Sequence, residues 1–179
     1  WPERDDKRIA SWNALAISAL AEAGAVLGEP RYLNAAIECA EFVERELRDD
    51  NGRLRRTWLD GRPGPPAYLE DYAYVTAAYL TLYEHCFDER WFTAARSTAA
   101  QMIKHFADPE GGFFSTAADH EQLLVRRKDV DDNPIPSGNA AAAYALLRLA
   151  ALTGDDDYRK LAVETLRILQ PIAARHPQG

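Results

Sequence analysis

Three short stretches of the chain gather residues able to do chemistry: DDKRIASWNAL at 5–15, AYLEDYAY at 67–74 and IPSGNAAAAY at 135–144. They supply Asp5, Asp6, Lys7, Trp12, Asn13, Glu70, Asp71, Tyr72, Ser137 and Asn139. Carboxylates move protons, amides and hydroxyls give directional hydrogen bonds, and aromatic faces stack on sugar rings, so this mixture suits a sugar or another polyol. Asp6, Glu70 and Asp71 are the acid/base candidates. The same residues also have structural uses. Ser137 is a good N-cap, acids are favoured near helix N-termini, and Asn13 and Asn139 can cap loops.

Glu70 and Asp71 are adjacent, and neighbours on a helix point about 100° apart. One is therefore expected to face a cavity while the other supports a loop. A glycosidase needs two carboxyls at a set separation, for which Asp5, Asp6, Asp129 and Asp132 are possible second members. His85 and His105 fall near helix ends and His176 in a tail, where structural or solvated roles suffice. His120, within ADHEQLL of a long loop, is an acid/base candidate or simply an exposed imidazole. Trp12, Trp58 and Tyr72 offer a stacking platform, although aromatic residues in Ala-rich helices also fill core space.

The elements that must position these residues are helices. Ile9 to Ala21, Tyr72 to Tyr83 and Asn133 to Leu147 carry no charge, and they are too short and too rich in Ala, Ser, Thr and Tyr to read as membrane spans. They read as buried inner helices. Arg31 to Arg48, Glu89 to Phe106 and Asp156 to Arg175 are amphipathic and read as outer helices. Thirty-one alanines anticipate close helix packing.

The two kinds alternate in register. GEPRYLNAA begins at Gly28, FDERWFTAA at Phe87 and GDDDYRKLA at Gly154, giving steps of 59 and 67 residues. Tyr32, Trp91 and Tyr158 keep these steps, as do Ala36, Ala95 and Ala162, and Asn13, Tyr72 and Asn139; Gly52 and Gly111 keep the first. This is a helical-hairpin repeat. Gly28 and Gly154 suit left-handed caps, Pro30 suits a first helical turn, and the aromatic after each cap is expected to pack back across its hairpin. The loops after the outer helices predict short β-hairpins, one turning at Asp60-Gly61. The longer second period places its extra residues in the second of these loops, on the face where the inner helices begin.

DDKRIASWNAL, YLEDYA, GGFFSTAADHEQLLVRRKD and IPSGNAAAAYALLRLA, in this order, resemble the helical region of the YyaL-type, thioredoxin-domain-containing family of spermatogenesis-associated protein homologues. The resemblance runs from Pro2 to about Arg175. It implies an all-α fold, about three hairpins of a six-hairpin α/α toroid, similar to the barrels of six-hairpin glycosidases and N-acylglucosamine 2-epimerase-like isomerases. It maps onto Asp5, Asp6, Lys7, Trp12 and Asn13; onto Glu70, Asp71 and Tyr72; and onto Arg126, Lys128, Pro136, Ser137, Gly138 and Asn139. The family commonly has Gly at position 14, Pro at 127, an aromatic at 131 and Ser at 140, where this chain has Ala14, Arg127, Asp131 and Ala140. In that family a thioredoxin-like domain precedes the toroid; no CxxC motif stands here, and residues 1–179 are expected to be a C-terminal piece comprising one partial toroid.

Composition narrows the function classes. The chain has 179 residues, with 28 acids against 21 bases and a net charge of −7. Its longest basic run is Arg126, Arg127 and Lys128, so neither nucleic acid nor a membrane surface is an expected partner. Cys39 and Cys86 form no metal-binding pattern; no metal or cofactor is expected, and a reducing, cytoplasmic setting is the default. The expected function is carbohydrate binding or processing, glycosidase-like or epimerase-like, with a small-molecule sugar as ligand. A helical-repeat scaffold for protein or peptide, or a regulatory domain for a redox partner, is the competing expectation. Half a ring leaves its flanking inner helices uncovered, which predicts self-association.

Overall fold

Alanine sets how closely the helices approach. The computed structural model describes residues 4–120, 125–131 and 134–175; Asp132 and His176 lie outside them. In chain order the helices are α1 (Ala10–Leu27), α2 (Pro30–Glu46), α3 (Leu69–Cys86), α4 (Glu89–Phe106), α5 (Gly138–Thr153) and α6 (Asp156–Arg175). Three short strands accompany them: β1 (Arg8–Ile9), β2 (Thr57–Leu59) and β3 (Arg62–Pro63). Helices α1 and α2, α3 and α4, and α5 and α6 pack as hairpins, while α3 lies between α1 and α5.

Position in this row determines burial. Helix α3 is buried at Leu69 and at every residue from Asp71 to Leu82. Helix α1 buries a stripe of Ala10, Ala14, Ile17, Ala21 and Gly24, one helical face at i, i+4, i+7, i+11 and i+14 spacing. A Cβ on Gly24 would stand 2.9 Å from the backbone nitrogen of Leu33, so the glycine permits the close approach of α2. With fewer helical neighbours, α1 and α5 leave Trp12, Val26, Leu27, Tyr144 and Leu147 exposed. By length and composition alone α1 could cross a membrane; here its apolar stripe is buried against α2 and α3.

The repeat register has a backbone basis. Gly28, Phe87 and Gly154 each end an inner helix in the left-handed region, at φ of 65°, 55° and 72°. Their N–H groups donate to the carbonyls of Gly24, Tyr83 and Ala150. For the exposed L-residue Phe87 this conformation costs about 1–2 kcal/mol. Ala36, Ala95 and Ala162 are all fully buried. Trp91 packs back onto Tyr79 with ring centroids 5.4 Å apart, and Tyr158 is half-buried against the core. Tyr32 instead lies under the Arg31 guanidinium. The first two inner helices begin three residues before Asn13 and Tyr72, whereas α5 begins one residue before Asn139. Pro136 and the Ser137 cap delay that start: the Ser137 hydroxyl accepts from the Ala140 N–H at 3.2 Å.

The two loops after outer helices differ. The first forms an antiparallel sheet in the order β1-β2-β3, with Trp58 paired to Arg8 on one side and to Pro63 on the other. Asp60 and Gly61 form its two-residue turn with φ of 49° and 77°, as a right-twisted hairpin requires. The second loop departs from the expected hairpin. Among its described residues the pairing is one bridge, Ala107 to Phe113, around a turn in which Gly111 and Gly112 take φ of 103° and 69°. Beyond Phe114 the described backbone bonds are scattered rather than laddered: the Ser115 N–H donates to the Arg127 carbonyl at 2.7 Å and the Ala118 N–H to the His105 carbonyl at 2.8 Å.

Candidate functional site

The carboxylates Glu70 and Asp71 in the first turn of α3 differ in burial, as a 100° helical step allows, yet both reach the Arg56 guanidinium. Asp71 is fully buried and accepts hydrogen bonds from the backbone N–H of Ser11 at 3.1 Å, the backbone N–H of Tyr68 at 2.9 Å and Arg56 Nη1 at 3.0 Å. It therefore caps α3, ties in the start of α1 and anchors the strand-bearing loop. Burial pushes its carboxyl above the usual range, against the opposing pull of Arg56. Glu70 is partly exposed and takes the same guanidinium nitrogen at 2.7 Å. Arg56 stacks on Tyr68 at 4.8 Å, so Tyr68, Arg56 and Glu70 form one supported cluster.

The start of α5 is built differently. Asn139 is buried; its Oδ1 accepts from the Phe113 N–H at 2.8 Å, while Nδ2 donates to the carbonyls of Phe113 at 3.0 Å and Asp129 at 2.8 Å. One amide thus clamps both ends of the second loop. Lys128 Nζ donates to the Gly111 carbonyl at 2.6 Å and pairs with Asp108 at 2.7 Å. Arg126 donates to the Thr116 carbonyl at 2.6 Å and lies 4.0 Å over the Phe114 ring. A Cβ on Gly138 would meet the Leu69 side chain at 3.1 Å, which is how closely α5 and α3 begin together.

Between these two helix starts lies a cavity of about 720 Å3. Glu70, Tyr68, Ser115, Thr116, Arg127, Lys128, Asp129 and Asp131 supply its polar lining, and Leu69, Val125, Val130 and Gly138 the rest. Its volume is that of an ordinary small-molecule site, and its mixture of carboxylates, hydroxyls, cations and one phenol matches a polyhydroxylated ligand. Three acidic residues, Glu70, Asp129 and Asp131, line this one space. Among the described residues no three His, Cys, Asp or Glu side chains are grouped as metal ligands.

The other sequence candidates take other positions. Asp5, Asp6 and Lys7 are exposed ahead of β1, where Asp6 pairs with Arg4 and Asp5 with Lys7, and none lines this cavity. Trp12 is exposed and is likewise no part of the lining. Asn13 Nδ2 donates back to the Ile9 carbonyl, one turn earlier, at 2.8 Å. Tyr72 is fully buried against Phe106, and its hydroxyl accepts from the Leu54 N–H at 3.0 Å. Ser137 caps α5. His120 stacks on Tyr68 at 5.9 Å but lines a different cavity. Tyr68, Ser115, Thr116 and Asp131 are lining residues that sequence reasoning missed. Tyr68 was within reach, since it immediately precedes the Leu-Glu-Asp run at the start of α3; the others depend on a loop path with no periodicity to read.

No protein-family model matches the chain. Its sequence is 39% identical over 168 residues to human spermatogenesis-associated protein 20, covering 88% of this chain and 21% of that protein. It is 32% identical over 174 residues to an uncharacterised protein of Caenorhabditis elegans, covering 93% of this chain and 24% of that one. Among solved structures, cellobiose 2-epimerase from Spirochaeta thermophila superposes with a TM-score of 0.73 at 17% identity, covering 92% of this chain and 43% of the epimerase. A family 76 glycoside hydrolase (mannosidase) from Bacteroides thetaiotaomicron gives 0.73 at 14%, covering 94% and 46%. An unsaturated glucuronyl hydrolase specific for heparin gives 0.74 at 18%, covering 94% and 48%. The chain thus spans about a fifth of the length of the curated relatives it matches, and its three hairpins match rather under half of a six-hairpin glycosidase-like toroid.

Proposed function

We propose that the cavity between the starts of α3 and α5 binds a sugar or closely related polyol, with Glu70 as its principal hydrogen-bonding and acid/base carboxylate. The observation that carries this reading is the meeting of Glu70, Asp129 and Asp131 with Tyr68 in one space of ligand size. Arg56 holds Glu70 in place from behind, so the carboxylate is pre-positioned. Tyr68 supplies an aromatic face for a sugar ring, and Ser115 and Thr116 supply hydroxyls. Several structural neighbours are named as carbohydrate enzymes, which supports the substrate class by fold analogy.

Of the two reaction types, carboxylate chemistry of the glycosidase kind fits the lining better than an imidazole-based epimerisation. The cavity holds several carboxylates, whereas His120 stands behind Tyr68 and lines another space. We also read the chain as the helical region of a longer protein of the thioredoxin-domain family, a reading supported by its four ordered motifs and by the length of its relatives.

Calorimetric titration with a panel of neutral mono- and disaccharides tests the proposal. At least one should bind saturably, and Glu70→Gln should weaken that binding about tenfold or more, the loss of one charge-assisted hydrogen bond, with the fold intact by circular dichroism. No heat with any sugar, or equal binding to Glu70→Gln, contradicts it.

A further inference from the structure

A second cavity, of about 430 Å3, opens where α2 and α4 end, and the sugar reading uses none of its charges. Arg53, Arg55 and Lys104 face Asp49 and Asp119 across it, an excess of fixed positive charge in a chain whose net charge is −7. Both carboxylates are already committed. Asp119 is held by two nitrogens of Arg53, at 2.7 and 3.1 Å. Asp49 caps its own turn through the N–H groups of Asn51 and Arg53 and accepts from Arg55 Nη2 at 3.1 Å.

The remaining donors are underused. Arg55 spends one of its three nitrogens, and its buried Nε has no partner. Lys104 is exposed and forms no ion pair among the described residues. Both ring nitrogens of His120 are closed off from solvent and unpaired among the described residues, an unfavourable state for an imidazole that a ligand accepting its N–H would relieve. The His120 ring also lies against Tyr68, so the two cavities share a wall. A half-used guanidinium, a free ammonium and an unpaired imidazole around one concave space are the donor set of an oxyanion site.

We propose that this cavity binds a compact oxyanion, a phosphoryl or carboxylate group, held by Arg55 and Lys104 with His120 turning its ring N–H toward it. Amide NMR of the chain, titrated at constant ionic strength with inorganic phosphate or with glucuronate against chloride, tests it. Saturable shifts should be confined to 49–55 and 101–120, and Lys104→Gln and Arg55→Gln should each weaken binding several-fold, with the double variant losing about tenfold or more. Saturation by phosphate alone identifies the phosphoryl group, by glucuronate alone the carboxylate, and by both a general oxyanion site. Absence of saturation with either anion overturns the proposal. So does an unchanged affinity in Lys104→Gln and the double variant, whose exposed and half-exposed positions leave the fold readable from the same spectra.

Discussion

The loops that lead into α3 and α5 are held to the helices by different means. The first is paired backbone to backbone, as β1-β2-β3, and its buried side-chain anchors include the Asp71–Arg56 pair and the Tyr72 hydroxyl on the Leu54 N–H. Among its described residues the second has a single bridge and is pinned by side chains: the Asn139 amide, the Lys128 ammonium and the Arg126 guanidinium each take backbone carbonyls. A ladder fills the space it spans, because each strand lies about 4.8 Å from the next. Side-chain struts instead hold backbone at a distance, and it is against the second loop that the larger cavity forms. Variation in this loop is compatible with an unchanged helical frame, which is how a repeat fold acquires a site.

The contrast breaks most severely at Asp71. Asp71→Ala leaves the Ser11 and Tyr68 N–H groups without their acceptor and Arg56 with Glu70 alone, and should cost about 3–5 kcal/mol in denaturant unfolding. Asp71→Asn keeps an acceptor and should cost less. In the second loop, Asn139→Ala removes three hydrogen bonds and should cost about 2–3 kcal/mol. Its local signature is faster hydrogen exchange at Phe113, with exchange in 57–63 unchanged. If the two loops are as independent as their anchors indicate, the Asp71→Asn and Asn139→Ala effects should add within about 0.5 kcal/mol. Tyr72→Phe leaves the Leu54 N–H without its acceptor and should cost about 1–2 kcal/mol, again on the first loop only.

The smallest effect is one of pH. Arg53 bridges to Asp119, so a residue of the first loop holds one of the second and lowers that carboxyl to about 2. The unfolded value is about 3.9, so the stabilisation is present above that pH and is lost as pH falls toward 2. Asp119 is more than half exposed, and screening limits the contribution to about 0.5 kcal/mol. Asp119→Asn should remove that part of the acid slope in unfolding curves recorded from pH 5 to about 2.

What the sequence made legible was mostly periodic or local. Gly28, Phe87 and Gly154 share one conformation, and the spacing that relates them is visible without coordinates. The Asp60-Gly61 turn follows from backbone preference alone. The unequal burial of Glu70 and Asp71 follows from helix geometry, although their shared partner Arg56 and the Ser11 N–H that Asp71 takes lie far away in sequence. The commitments of Lys128 and Arg126 to carbonyls at Gly111 and Thr116, and the place of Asp131 in the lining that Glu70 shares, depend on an irregular path with no period of 2 or 3.6 to reveal it. Tyr72 reads equally well as a platform or as core, and only its contact with Leu54 distinguishes the two.

The central claim is that ligand binding belongs to the side-chain-pinned loop and the helix starts it faces. Amide NMR of the chain with a saturating sugar tests this most directly. The account predicts shifts at Tyr68, Leu69, Glu70, Ser115, Thr116 and 127–131, with the 57–63 hairpin unmoved. Shifts concentrated instead at Leu15, Ser18, Tyr144 and Arg148, which line a separate cavity between α1, α3 and α5, would contradict it.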